Sequence, residues 1–123
     1  MTKKYELCKE HSINLDDGTK LYQIKALKDF DDVSKGDLGG YVGSEENLSQ
    51  EGEAWVYNNA KVYNNAKVYG NACVYRDAEV SGSAKVYGHA QVYNHAWVYD
   101  HAQVYGHAQV YDHAQVSGND QVN

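Results

Sequence analysis

The sequence predicts an all-β protein whose body is a single-stranded parallel β-helix, and three observations predict it. Val recurs every six residues from Val56 to Val122 without a skip. Ala stands two residues ahead of it from Ala54 to Ala114. Tyr usually follows the Val, and the next two positions are drawn almost wholly from Gly, Asn, Asp, His and Ser. Self-similarity at a short fixed period marks a repeat architecture in which each unit buries its apolar face against its neighbours.

Within each phrase Ala and Val lie at i and i+2, so an extended chain points both to one side, and the residue between them and the Tyr to the other. Ala and Val therefore face inward. The residue types after Tyr tolerate positive φ and close corners cheaply. A six-residue period cannot hold one face of a 3.6-residue helix, so a helical reading fails. Three strand-and-corner units make a triangular coil of eighteen residues, and the phrases from Ala54 onward give about four coils, a prism on the order of 19 Å tall at the usual inter-strand spacing.

Ahead of the repeats, residues 1–53 read as an N-terminal β-hairpin cap and entry segment, and residues 54–123 as the β-helix. Lys4 to Cys8 has strand character, Asp16-Asp17-Gly18 that of a turn, and Leu21 to Ala26 alternates as a second strand. The acidic, glycine-rich stretch 29–53 leads into the first coil, with Gly39-Gly40 read as a tight turn. A cap is expected because the ends of a solenoid offer unpaired strand edges. At the other end Asp120 takes the inward slot that Ala holds before it. A carboxylate there cannot be buried under another coil.

The net charge of −6 is lopsided. Residues 1–53 carry seven Lys and twelve Asp or Glu, whereas residues 54–123 carry four Lys or Arg and five Asp or Glu. The repeat body is nearly neutral, which opposes a nucleic-acid partner. Cys8 and Cys73 stand apart without a CxxC, as thiols of a reducing compartment do. With no leader and no apolar run of spanning length, a cytoplasmic protein without a membrane partner is expected.

The lead-in Gly39-Gly40-Tyr41-Val42, followed by Glu51-Gly52-Glu53-Ala54-Trp55-Val56-Tyr57, resembles the entry segment of the YdcK-like proteins. Small phage and mobile-element proteins with Val-Tyr-Gly-Asn-Ala repeats are similar as well. The resemblance spans roughly residues 20–123 and extends to the hexapeptide helices of the trimeric acyltransferases. It implies a left-handed coil and a compact N-terminal cap. The likeness to phage proteins also implies an accessory protein of the host cytoplasm that blocks a host defence or regulatory factor.

Among the residues themselves, His89, His95, His101, His107 and His113 fall at one place in successive phrases. Stacking partners differ by eighteen, so His89 pairs with His107 and His95 with His113. No site gathers the three or four ligands of a tight metal centre. They read as corner residues in place of Asn or Asp, and no metal ligand is assigned. Tyr57, Tyr75, Tyr93 and Tyr111 form one outward ladder, Tyr69, Tyr87 and Tyr105 a second, and Tyr63 and Tyr99 a third broken by Ser81 and Ser117. An aromatic surface with few charges is composed as interfaces are.

The candidate binding residues are accordingly Trp97, Tyr93, Tyr111 and Tyr75 as anchors, with Asp31, Asp32, Glu45 and Glu46 steering a basic protein partner. Trp55 reads as a seal for the cap. No nucleophile with a base, phosphate loop or cofactor motif is found, and every His of the body is a repeat member on a coil without insertion. The expectation is a non-catalytic binding or inhibitory solenoid without a cofactor, with a trimeric acyltransferase-like enzyme and a self-assembling structural protein as the alternatives; a homo-oligomer fits each.

One prediction tests the inward and outward assignment. Val86→Asp is expected to abolish folding, because it places an unpaired charge in mid-prism, while the outward Ser81→Tyr is tolerated. Circular dichroism of the two variants decides, and equal folding would sink the assignment.

Overall fold

A computed structural model describes residues 3–123. It is a parallel β-solenoid of stacked coils opened by an antiparallel hairpin. Strand β1 (Tyr5–Asn14) pairs antiparallel with β2 (Lys20–Ala26) across a turn at Asp16-Asp17-Gly18. β3 (Leu38–Val42) runs antiparallel to β2 on one side and parallel to Lys61–Val62 on the other. It thereby converts a hairpin into the first rung of the solenoid.

Twelve two-residue strands follow, β4 (Trp55–Val56) to β15 (Gln121–Val122), one in each phrase. They build three faces. Face one stacks β3, Lys61–Val62, Glu79–Val80, Trp97–Val98 and Gln115–Val116. Face two stacks Trp55–Val56, Cys73–Val74, Gln91–Val92 and Gln109–Val110. Face three stacks Lys67–Val68, Lys85–Val86, Gln103–Val104 and Gln121–Val122.

The eighteen-residue coil is a hydrogen-bond register. Lys61 N–H donates to Ala78 C=O at 3.0 Å and Tyr63 N–H to Val80 C=O at 3.0 Å, and the same offset repeats down the prism. Each corner also closes on itself, as where Ala60 N–H donates to Tyr57 C=O at 3.1 Å. The core is the expected column. Val56 to Val104 and Ala54 to Ala90 are fully buried in every phrase, and full burial of a Val side chain is worth about 1.5–3 kcal/mol.

Coiling begins before the repeats do. Val42 aligns with Val62, and Leu48 bridges Val68. Both are fully buried, so the lead-in adds a rung and one face carries five parallel strands. Its spacing is twenty residues where the repeats use eighteen, because Leu48 to Val56 takes eight residues where each phrase takes six; the corner from Val42 to Leu48 keeps six and holds the short 3₁₀ turn Glu45–Asn47. Asn47 makes that corner possible. Its Oδ1 accepts from Gly43 N–H at 2.9 Å and Ser44 N–H at 2.8 Å, while its Nδ2 donates to Asn64 C=O at 3.1 Å and Ala66 C=O at 2.8 Å. A buried amide with every group partnered fixes the rung where no repeat residue is present to do so.

Gly39-Gly40 is not a turn. Both glycines lie in β3, and a Cβ on Gly39 would come within 2.5 Å of the Val56 carbonyl oxygen, one on Gly40 within 2.6 Å of that of Ala60. They are glycine so that the strand can approach the next coil's backbone. The corner chemistry is also narrower than expected. Positive φ falls on the first residue after Tyr, as in Asn58 (57°), Asn94 (62°) and Asp112 (57°), and not on the second. The histidines occupy the second position, so tolerance of positive φ does not account for them. Arg76 adopts the left-handed conformation at φ 60° without the side-chain chemistry that eases it.

The cap closes the top of the prism with two polar plugs. Tyr5 is fully buried and its hydroxyl donates to Leu48 C=O. Lys4 is fully buried too, donating through Nζ to Ala54 C=O at 2.7 Å, with its ammonium 5.3 Å from the Phe30 ring centre. Burial, aided by the Lys28 charge, lowers the Lys4 ammonium to about 8. Burial pushes phenols the other way, Tyr63 to about 12 and Tyr5 higher still.

These shifts set opposing limbs of stability against pH. An unfolded lysine titrates at 10.5, so between about pH 8 and 10.5 the unfolded chain holds more protons and stability rises with pH, by at most about 1.4 kcal/mol per unit. Unfolded cysteines begin to ionise near 9.0 and unfolded tyrosines near 10.0, while Cys8, Cys73, Tyr63 and Tyr5 are held protonated in the fold, so from about pH 9 upward these groups lower stability. Melting temperature is expected to climb from pH 8 to about 9, then level off and drop. In Lys4→Met the climb is expected to be absent; thermal melts over that range would show a persisting climb if Lys4 were not its source.

Candidate functional site

The outward surface is built by one rule. A Tyr on one coil donates its hydroxyl to the residue sixteen further on, which stands just before Val on the next coil. Tyr75 donates to Gln91 at 3.2 Å, Tyr87 to Gln103 at 3.1 Å and Tyr93 to Gln109 at 3.2 Å. Where the partner is Glu79 the same bond forms from Tyr63 at 2.9 Å. The rings above one another then stack in parallel. Tyr75 and Tyr93 lie 4.8 Å apart at 4°, and Tyr93 and Tyr111 5.5 Å apart at 14°.

The anchors Tyr75, Tyr93 and Tyr111 thus share face two. Trp97 lies on face one, 4.8 Å from Tyr99 and tilted by 43°. It fills the space a tyrosine would occupy at Ser81, donating Nε1–H to Ser81 Oγ at 3.4 Å, and Ser81 is buried beneath it. This corrects the expectation that Ser81 is a free outward position. Trp97 and Tyr111 remain 40% and 47% exposed, the exposed large aromatic groups; Leu38, also exposed, lies at the start of β3. Trp55 is buried instead, with Phe30 and Tyr5 edge-on at 5.2 and 6.1 Å.

The acidic residues divide between two places. Glu45 and Glu46 lie near Lys67 and Tyr69 at the top of face three, where Lys3 pairs with Glu45 at 3.0 Å. Asp31 and Asp32 stand at the tip of a tight loop held by reciprocal hydrogen bonds between Phe30 and Val33. Phe30 packs on Trp55 and pins that loop over face two. Steering by all four carboxylates toward one face is therefore not what the geometry provides; Asp31 and Asp32 alone adjoin the Tyr75 ladder.

They meet it in a cavity of about 370 Å³ lined by Asp31, Asp32, Tyr57, Cys73, Tyr75 and Gln91 among others. Tyr57 donates its hydroxyl to Asp32 Oδ1 at 2.8 Å. Burial and that carboxylate hold the Tyr57 phenol far above its ordinary range. Cys73 is pushed up by burial, with Asp31 and Asp32 adding to the effect against a hydrogen bond from Tyr57. The thiol is kept protonated, which removes it as a nucleophile. Of these groups Tyr57, Cys73 and Gln91 were not picked out in the sequence; the signal available was the sixteen-residue Tyr-to-Gln offset, which needs the coil length first.

The histidines stack as the eighteen-residue arithmetic requires, His89 on His107 at 5.1 Å and His95 on His113 at 5.0 Å. Among the described residues no group of three or more His, Cys, Asp or Glu is placed to hold a metal ion. Among the described residues no helix is long and apolar enough to cross a membrane.

No family model matches the chain. The chain is similar to the uncharacterized acetyltransferase YdcK of Escherichia coli (strain K12), 42% identical over 62 residues, covering 46% of this chain and 19% of that protein. The chain thus spans about a fifth of the length of the curated relative it matches. The match bears out the likeness to YdcK-like, hexapeptide-repeat proteins. It also corrects the expectation of a protein that is not an enzyme, because a relative bearing the name of an acetyltransferase points toward an enzyme family. Repeat spacing reveals inward and outward faces but carries no trace of reaction chemistry, so the residues alone did not suggest an enzyme family.

Replacing Ser81 by Tyr is now expected to displace the Trp97 ring and shift its fluorescence to that of a water-exposed indole, while Trp55 continues to emit as a buried one. An unchanged emission spectrum in folded Ser81→Tyr would contradict the packing described.

Proposed function

We propose that the chain is a solenoid of the acyltransferase type that holds an acceptor substrate on face two, in the cavity between the Asp31–Asp32 tip and the tyrosine ladder. The observation that carries this reading is the meeting of two carboxylates without an ion-pair partner among the described residues, a polar amide and aromatic rings in one concavity of a nearly neutral prism. Pockets that combine an apolar wall with a few convergent polar groups are where small ligands are held. The likeness to a protein named as an acetyltransferase supports the choice of reaction class.

In such a reaction the acceptor's lone pair attacks the acetyl carbonyl of a thioester donor, the carbon–sulfur bond breaks and the thiolate leaves. The proton lost by the acceptor passes to a carboxylate. Asp32 already accepts the Tyr57 hydroxyl through Oδ1, and both Asp31 and Asp32 line the cavity. They are the groups available to take it.

A second reading is favoured by the exposure of Trp97 and Tyr111: a protein partner docks across faces one and two. Aromatic anchors of this kind cost about 1–3 kcal/mol of binding when truncated.

The test uses the whole chain with acetyl-coenzyme A and a panel of amine and alcohol acceptors, reading release of the free thiol. Chain-dependent release is expected, with at least a tenfold fall in Asp31→Asn/Asp32→Asn. The absence of release above blank with every acceptor, from protein whose circular dichroism is that of a folded solenoid, would overturn acyl transfer.

A further inference from the structure

The regular stacking of face two fails at one place. Below it, successive rings lie parallel within 4–14°. At the top, Tyr57 and Tyr75 are 6.3 Å apart at 85°. Asp32 accepts the Tyr57 hydroxyl at 2.8 Å, and Tyr57 meets the Tyr75 ring edge-on where every lower pair stacks in parallel. The cavity, the two carboxylates and this break in the stack coincide.

The chemistry of that coincidence is specific. The face of a phenol ring carries the negative end of its quadrupole and attracts cations within about 6 Å. Among the described residues the ion pairs are Lys3 with Glu45 and His95 with Asp77, so Asp31 and Asp32 have no cation of the protein to neutralise them. Nearby basic groups are committed elsewhere: the Lys4 ammonium is buried against the Ala54 carbonyl, and Arg76 does not line the cavity. Gln91 has its Oε1 engaged by Tyr75 and keeps its amide N–H groups as donors. An anion would meet two carboxylates; a neutral apolar ligand would leave both without a counter-charge. The protonated Cys73 thiol adds a small apolar wall.

We propose that this cavity recognises an alkylammonium group, the cation paired with Asp31 and Asp32 beside the Tyr57 and Tyr75 rings, its carbon chain lying along face two. This rests on the cavity being the acceptor site described above and names the acceptor as an amine. The volume of about 370 Å³ accommodates a lysine side chain or a small free amine. The loop carries the charge and the ladder carries the apolar contact, so neither part of the chain recognises the ligand without the other.

The experiment titrates the intact chain with n-butylammonium chloride, following tyrosine fluorescence and the side-chain resonances of face two, with n-butanol and sodium butyrate as neutral and anionic counterparts. Saturable binding of the ammonium alone is expected, weakened several-fold by raising salt, at least tenfold by Asp31→Asn/Asp32→Asn and several-fold by Tyr75→Leu. Nα-acetyl-lysine amide serves as a second probe: tighter binding than butylammonium assigns a lysine side chain of an acceptor, weaker binding a free small amine, and both sustain the ammonium class. Equal binding of butanol, or undiminished binding by the folded double variant, overturns it. Ammonium binding without acetyl transfer would retain this inference and remove acyl transfer; acetyl transfer to alcohols alone would do the reverse.

Discussion

Everything in this molecule hangs on the hydrogen bond that runs from an N–H on one coil to the carbonyl seventeen residues later on the next, as from Lys61 to Ala78 and from Tyr87 to Val104. A parallel strand only two residues long has almost no local stability. Its backbone groups are satisfied because an identical unit lies above and another below, at a spacing the chain reaches only if each coil consumes the same number of residues. One inserted residue would move every later Val from the inside to the outside. The strict six-residue phrase is the sequence's answer to that constraint.

Identical spacing makes identical neighbours, and the surface follows from it. Tyrosine lies on tyrosine, histidine on histidine, and the hydroxyls of Tyr75, Tyr87, Tyr93, Tyr99 and Tyr105 reach the Gln before Val on the following coil. The latch holds rings parallel that would otherwise turn edge-to-face, a preference of isolated aromatic pairs. Regularity also has a cost at the corners, where the first residue after Tyr must take positive φ; Gly, Asn and Asp meet this readily and Arg76 does not. An exposed bulky residue kept in that conformation beside the Tyr75 ladder stores a little strain at the edge of the candidate site.

A solenoid made only of repeats has flat walls, and a flat wall holds a ligand poorly. The N-terminal segment breaks the symmetry in two ways. Lys4, Tyr5 and Asn47 supply hydrogen bonds that the missing coil above would have made, and Gln50 holds the backbone of Lys4 and Tyr5 in place. The loop from 27 to 37, seated on Trp55 by Phe30, projects Asp31 and Asp32 over the uppermost tyrosines and turns Tyr57 out of the stack. The cap that closes the prism therefore also creates the concavity in which carboxylates and the face-two tyrosines meet.

The solenoid was legible in the sequence because its period is written in covalent spacing: alternation decides which side chain points inward, and repetition at six decides what stacks on what. Hence the buried Val column, the three tyrosine ladders, the His89–His107 and His95–His113 pairs and the hairpin at Asp16 to Gly18 all follow from residue numbers. Where the period is absent the sequence was mute. That Gly39 and Gly40 make room for the Val56 and Ala60 carbonyls, that Trp97 covers Ser81, and that Glu45 and Glu46 lie away from Asp31 and Asp32 depend on contacts between segments of unlike spacing. Local pattern determined the faces of this protein; only tertiary packing decided which face received the carboxylates, because a loop's landing place is set by the ring it packs against and not by its own residues.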